Sequence, residues 1–248
     1  MNNLNLWEQL KKINEKCEWI DLSHEVSENT PHWHGFSSLK SSVLYDIEKD
    51  GFTTHTYELV GQYGTHIDAP IHFVKGKKTL DTFTPKDMVM PLCVIDKSMD
   101  VQKNNDFAIE VKDILEWEGK NGKIPEGAFV AFMSNWSKRG TQEAMENKDE
   151  NGVKHYPGWS INALEFLINE RNVGAIGHEQ ADTDPAYIAQ SQGMIGEYYI
   201  LSTNKFQIEL LKNLDLCPST GGIIFCTFPK IKNGTGFTAR CFALCPKK

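Results

Sequence analysis

The chain of 248 residues is 40% hydrophobic with a formal net charge of -7, long and apolar enough to bury a sizeable core as one unit. Its acidic balance argues against nucleic acid or an anionic membrane as main partner, and Lys75, Lys77 and Lys78 are too few for a basic patch. No run approaches about 20 apolar residues, so no spanning helix is expected, and six cysteines scattered through apolar runs read as reduced thiols of a cytoplasmic protein.

The opening segment has no signal-peptide h-region, and Leu4, Leu6, Leu10 and Ile13 fall at helical spacing. This predicts an amphipathic helical extension over residues 1–18. "EWIDLSHEV" then reads as a strand and "NTPHWHGF" as a loop. "FTTHTYELVGQYGTHIDAP" alternates well enough to predict one extended strand. "MPLCVIDKS", "GAFVAFMSNW" and "VGAIGHE" are apolar runs suited to a sheet covered on both faces. Between them "NDFAIEVKDILEWEGKNG" reads as a helix stopped by Gly. "SINALEFLINERN" reads as another, with Ser160 as N-cap and Ala163, Leu164, Leu167 and Ile168 as its apolar stripe. "QADTDPAY" is a loop, and "GGIIFCTFPKI" with "FTARCFALCP" forms a hairpin-like pair around "KNGTG". The mixture predicts a single α/β domain over residues 1–248, built on a mixed sheet or partly closed barrel with flanking helices.

The stretch "GQYGTHIDAPIHF" carries the chemistry. In an extended chain alternate side chains share a face, so Gln62, His66, Asp68 and His72 are expected to project together. Imidazole and carboxylate are donors for Zn²⁺, Mn²⁺ or Fe²⁺. One strand rarely completes a site, and His178, Glu179, Asp182, Asp184, Glu197 and Glu209 are candidates for a second wall. Periodicity does not choose among them. Trp33 is placed as an aromatic lid over a flat substrate, flanked by His32 and His34 in an exposed loop. Trp136 is placed as a cleft residue, and His178 as a substrate contact or supporting partner.

"GTHIDAPIHF" resembles the motif of the cyclase-like metal-dependent hydrolases, the family of bacterial kynurenine formamidase and isatin hydrolase. "WIDLSHEVSENTPHWHG", "HYPGWSINALEFLINERNVGAIGHEQADTDP" and the block from "FQIELLKNL" to "RCFAL" extend the likeness from Trp19 to near the end of the chain. The resemblance implies an α/β fold of swivelling-domain type, a homodimer or homotetramer, and metal-dependent hydrolysis of a small formamide or cyclic amide. By position, His66 and Asp68 match metal ligands, His72 the base or water-orienting group, and Glu209 a further ligand. Gln62 and Glu197 stand where the formamidase has metal-binding histidines, so both join the expected metal set. An amide and a carboxylate in place of two imidazoles favour Mn²⁺ over Zn²⁺ and a single ion. Two alternatives stand beside hydrolysis: a metal-holding small-ligand binder without catalysis, and a cyclase or dehydratase acting on a carbonyl compound.

Overall fold

The computed structural model describes residues 5–247; Leu4, counted in the first helix, lies outside them. Helix α1 (Leu6–Lys16) begins where the Asn5 side-chain oxygen accepts from the Trp7 and Glu8 amides, a cap that contributes about 1 kcal/mol. Its apolar stripe stays uncovered, for no residue of the helix is buried and Trp7 is 85% exposed. Strand β1 (Cys17–Asp21) follows directly.

The segment from Phe52 to Pro70 is not the one strand its alternation predicts. Strands β2 (Lys40–Tyr45) and β3 (Thr54–Glu58), linked through the short helix α2 (Ile47–Asp50), form a separate two-stranded hairpin. The chain then turns, and a new strand, β4 (His66–Asp68), enters the main sheet. The β-branched and aromatic residues of β3 suit any pleated surface. Period two therefore marks a strand without saying which sheet it joins.

Downstream the order of elements agrees with the sequence. The run at Met90 is β5 (Val89–Asp96), followed by α3 (Ser98–Lys103), the two-residue β6 (Ala108–Ile109) and α4 (Val111–Asn121), which stops at Gly122. Strand β7 (Phe129–Met133) is buried along its length. After α5 (Gln142–Glu146) and β8 (Gly158–Trp159) comes α6 (Ile161–Asn169). Ser160 caps it, its hydroxyl accepting from the Ala163 amide at 3.2 Å, and Ala163, Leu164 and Leu167 are buried. Next come β9 (Ala175–His178), α7 (Ala186–Gln192), α8 (Ile195–Ser202) and β10 (Phe206–Glu209). Strands β11 (Gly222–Thr227), β12 (Gly236–Thr238) and β13 (Arg240–Pro246) follow.

Among the described residues, nine strands make one mixed sheet in the order β1-β13-β11-β5-β7-β9-β10-β4-β12. Its centre, β5 to β10, is parallel, and both flanks are antiparallel. One face gathers a core from strands across the sheet, among them Ile20, Ile67, Leu92, Phe129, Ile208 and Cys241, to which no α-helix of the described residues contributes. On the other face α4, α6 and α8 bring Ile114, Trp117, Leu164, Leu167 and Ile200 against Val130 and Ile176. This is the mixed, partly closed sheet with flanking helices that was expected. Among the described residues no helix is long and apolar enough to cross a membrane, and the six cysteines are unpaired.

Candidate metal centre

Strand β4 lies between β10 and β12, and its register with β10 sets His66 opposite Glu209 and Asp68 opposite Gln207. Residues directly opposite share a face, as do residues two apart. Four side chains from two strands therefore project together, while Ile67 and Ile208 between them enter the core on the far side. Across the other ladder Gly236 faces Asp68, and the Gln62 amide fills the space a side chain there would need.

The His66 Nε2 is 3.5 Å from both Asp68 Oδ2 and Glu209 Oε2. Its Nδ1 lies 2.8 Å from the Gly64 carbonyl, which holds that proton in place and turns Nε2 to the carboxylates. Glu197 arrives from α8. His66, Asp68 and Glu209 offer ligand atoms within 4.8 Å of one another, and so do Asp68, His72 and Glu197, with Asp68 common to both groups. The Gln207 Nε2 donates to Asp68 Oδ2 at 3.1 Å and to Glu197 Oε1 and Glu209 Oε1 at 3.0 Å each. Its own oxygen accepts from the Thr183 hydroxyl. An amide turned end for end satisfies Thr183 equally, because a hydroxyl donates or accepts. Gln207 is then a further oxygen donor at the same point.

Sequence reasoning missed Gln207. Its signal was available: it precedes Glu209 by two positions on a strand, the same spacing that joined His66 to Asp68. The strand after it ends sharply at Leu210, whose φ of 53° is rare for a leucine. Its amide donates to the Gln180 carbonyl and its carbonyl accepts from Thr65, which hold the turn.

The electrostatics are those of a crowded, buried cluster. Burial, then the Asp68 carboxylate, pushes the Glu197 pKa well above its ordinary value. Burial, then the Glu197 and Asp68 charges, does the same to Glu209. Burial works in the same direction on Asp68, but the His66 and His72 charges and the Gln207 hydrogen bond outweigh it and hold the group low. For His66 burial disfavours the cation, and the Asp68 charge and hydrogen bond override it, raising the pKa. Burial takes His178 down to about 3, so that ring is neutral. Asp68 Oδ1 is buried with no hydrogen-bond partner among the described residues. An unpartnered carboxylate oxygen among mutually repelling carboxylates fits a cation, and the imidazole-plus-oxygen donor set suits a divalent ion of borderline to hard character.

The other expected residues fall as follows. His72 is not on the strand but in the turn Pro70–His72, with its Nε2 3.8 Å from Asp68 Oδ1 and its Nδ1 3.3 Å from the Gln62 Nε2. The hydrogen-bond partners of Gln62 are His72 and Thr235. Alternation along one strand is thus not what gathers these residues, since both Gln62 and His72 return to the site through turns. Trp33, Phe36, Phe73 and Met194 wall a cavity of about 250 Å³ that reaches His66, Asp68, Glu197 and Glu209. His178 does not line it; fully buried, it accepts from the Trp159 indole and faces Glu209 Oε1 across 3.5 Å. His32, expected in an exposed loop, is buried and stacked on Tyr63 at 4.7 Å, because the loop folds inward there. Trp136 is buried under Arg139 and borders a separate cavity of about 30 Å³ behind Trp33. Glu179 is consumed by Ser134, Trp136 and Ser137. Asp182 lines the large cavity, and burial lifts its pKa to about 6.

Residues 20–185 match the family model described as Putative cyclase. Isatin hydrolase from Roseibium aggregatum is 31% identical over 236 residues, which cover 92% of this chain and 87% of that one. A kynurenine formamidase from Bacillus cereus is 32% identical over 123 residues, 44% of this chain and 55% of that enzyme. Among solved structures, an isatin hydrolase bound to the product analogue thioisatinate matches over 100% of both chains, with a TM-score of 0.92 at 27% identity. Isatin hydrolase A from Labrenzia aggregata, bound to benzyl benzoate, covers 98% of this chain and 100% of its own, with a TM-score of 0.90 at 28% identity. With a family model along most of its length and a near-full-length relative at 31% identity, the chain belongs to the cyclase family.

Proposed function

We propose that the protein hydrolyses a small cyclic amide fused to an aromatic ring, a compound of the isatin kind, to the ring-opened acid. The observation that carries this reading is the flat-walled cavity of about 250 Å³ that ends on the buried His66, Asp68, Glu197 and Glu209 cluster. The longer match to isatin hydrolase than to the formamidase supports the cyclic substrate. His66, Asp68 and Glu209 would hold one ion, with Gln207 and Glu197 completing the oxygen donors. Manganese suits that set, and zinc competes through intrinsic affinity.

When bound, the ion supplies Lewis acidity, lowering the pKa of a coordinated water and polarising a carbonyl. His72 stands at the cavity wall beside Asp68. It takes a proton from the attacking water and passes it to the ring nitrogen as the C–N bond breaks. Gln62 holds the His72 ring from behind rather than joining the ligands. Trp33, Phe36 and Phe73 enclose the aromatic ring and exclude bulk water. We also place the protein in the cytoplasm as a homodimer or homotetramer. Free thiols support the first; the hairpin of β2 and β3, with Val43, Leu44 and Tyr57 more than half exposed, supports the second.

The test is chelation followed by reloading with Mn²⁺ or Zn²⁺ and an assay on isatin, related cyclic amides and N-formylkynurenine. Turnover of the cyclic amides with little on N-formylkynurenine is expected. A metal-loaded protein inert toward every cyclic amide contradicts the reading.

A further inference from the structure

Three carboxylates and a glutamine converge at the centre, and like charges on buried groups push one another apart. Asp68, Gln207 and Glu209 are held by sheet ladders. Glu197 is not: it sits in the first turn of α8, only eight residues long, whose N-cap residue Met194 makes no side-chain cap bond. A two-turn helix does not hold its own first turn against such repulsion. The missing cap comes from a distant segment. Asp184 Oδ1 accepts from the Gly196 amide at 2.7 Å, and its Oδ2 accepts from the Glu197 amide at 3.1 Å. Both oxygens of a carboxylate that is 1% exposed are spent on two consecutive amides, one of them that of Glu197 itself.

The fit is close enough to constrain the sequence. A Cβ on Gly196 would lie 2.9 Å from Asp184 Oδ1 and 3.0 Å from Leu164 Cδ1, so a side chain there must displace the helix start or the carboxylate. The loop bearing Asp184 is itself strapped down. The Thr183 carbonyl accepts from the Trp159 amide at 2.9 Å, and the Ala186 amide donates to the Tyr156 carbonyl at 3.0 Å. The Thr183 hydroxyl meanwhile bonds the Gln207 amide. One rigid tripeptide thus touches the cavity through Asp182, Gln207 through Thr183 and Glu197 through Asp184.

We propose that Asp184 is a positioning residue of the metal centre: it contacts no ion, but it fixes the backbone from which Glu197 reaches the cluster. This rests on the metal-dependent function proposed above. Sequence had offered Asp184 as a possible ligand; both its oxygens face backbone amides, and it belongs to neither group of side chains whose ligand atoms converge.

The experiment measures Mn²⁺ binding to chelator-stripped full-length protein by calorimetry and by the Mn²⁺ paramagnetic resonance spectrum, well below the melting temperature. It compares wild type with Asp184→Ala, Asp184→Asn and Gly196→Ala. Loss of an outer-shell partner weakens metal affinity by about 10–100-fold, so Asp184→Ala should show a Kd raised within that range, a broadened spectrum and a fall in kcat larger than any change in KM. Asp184→Asn keeps one cap oxygen and should recover part of the affinity. Gly196→Ala leaves every charge in place and should weaken binding in the same direction. A residue that merely stabilises the fold would lower the melting temperature and leave the Kd of the folded variant unchanged. Folded Asp184→Ala with the wild-type Kd and spectrum overturns the proposal, as does failure of all three variants to fold, which would assign these residues to general stability. If wild type itself binds no Mn²⁺, the proposed function falls first; if wild type binds and the variants bind equally well, only this inference falls.

Discussion

His66 and Glu209, far apart in the chain, face each other across the ladder between β4 and β10, with imidazole Nε2 3.5 Å from carboxylate Oε2. The pairing is a consequence of register. A slip of one residue would carry either side chain through the sheet into the apolar core. The candidate metal centre is therefore set by the same register as the sheet, with Glu197 added from α8.

Removing a ladder ligand should remove the ion. His66→Ala and Asp68→Ala, purified without added metal, are expected to contain almost none by elemental analysis, against about one ion per chain in wild type. With several kcal/mol of Lewis-acid stabilisation lost, kcat/KM should fall by about 10³-fold or more. Either variant retaining stoichiometric metal contradicts the ligand set.

Substitution of His72 should separate proton transfer from metal binding. His72→Gln is expected to keep its ion and to lose about 10²–10⁴-fold in kcat, the usual worth of a general acid–base group. Gln62→Leu should likewise keep the ion, since its amide is engaged with His72 and Thr235. Metal loss in Gln62→Leu would make the glutamine a ligand after all.

Glu209 gives the metal-free protein a pH dependence of known sign. Burial and neighbouring carboxylates raise its folded pKa well above the ordinary value. Below about pH 4 it is protonated folded and unfolded alike. As pH rises further the unfolded chain releases the proton readily and the folded chain does not, so stability is lost until the folded pKa is passed. Glutamine escapes this. After chelation, the melting-temperature advantage of Glu209→Gln over wild type should widen as pH rises above about 4, the unfolded value, at about 2–4 °C per kcal/mol for a chain of this size. Saturating Mn²⁺ should reverse the order, and a gap that stays constant with pH contradicts the account.

The aromatic wall predicts an effect on substrate binding rather than chemistry. Trp33 folds back over Gly35, where a Cβ would sit 1.6 Å from its ring. Gly35→Ala must displace the indole, and Trp33→Ala removes it. Both should raise KM for a flat bicyclic amide by about tenfold, a loss near 1.4 kcal/mol, with kcat changed much less. An unchanged KM in both would mean that Trp33 does not contact the substrate.

Much of this was legible in the residues because short-range rules governed it. The spacing of His66 and Asp68, the Ser160 cap and the all-apolar β7 each depend on a few neighbours, and each appears in the structure. What depended on strand order did not show. The spacing of Gln207 from Glu209 puts the two on one face, but that this face meets Asp68 follows only from the β4–β10 register. The break between β3 and β4 hid inside an alternating pattern that was genuine on both sides of the turn. His32 was misplaced, and the role of Asp184 went unread, for a related reason: tertiary burial gave each a partner, Tyr63 and the start of α8, that local sequence does not name.

The most direct test of the central claim is anomalous diffraction from crystals of the Mn²⁺-loaded protein, collected at the manganese edge. The account predicts one strong peak per chain among His66 Nε2 and the carboxylates of Asp68 and Glu209, with Gln207 and Glu197 beside it. No peak at that point, or one lying elsewhere with both Glu197 and Glu209 remote from it, would contradict the account.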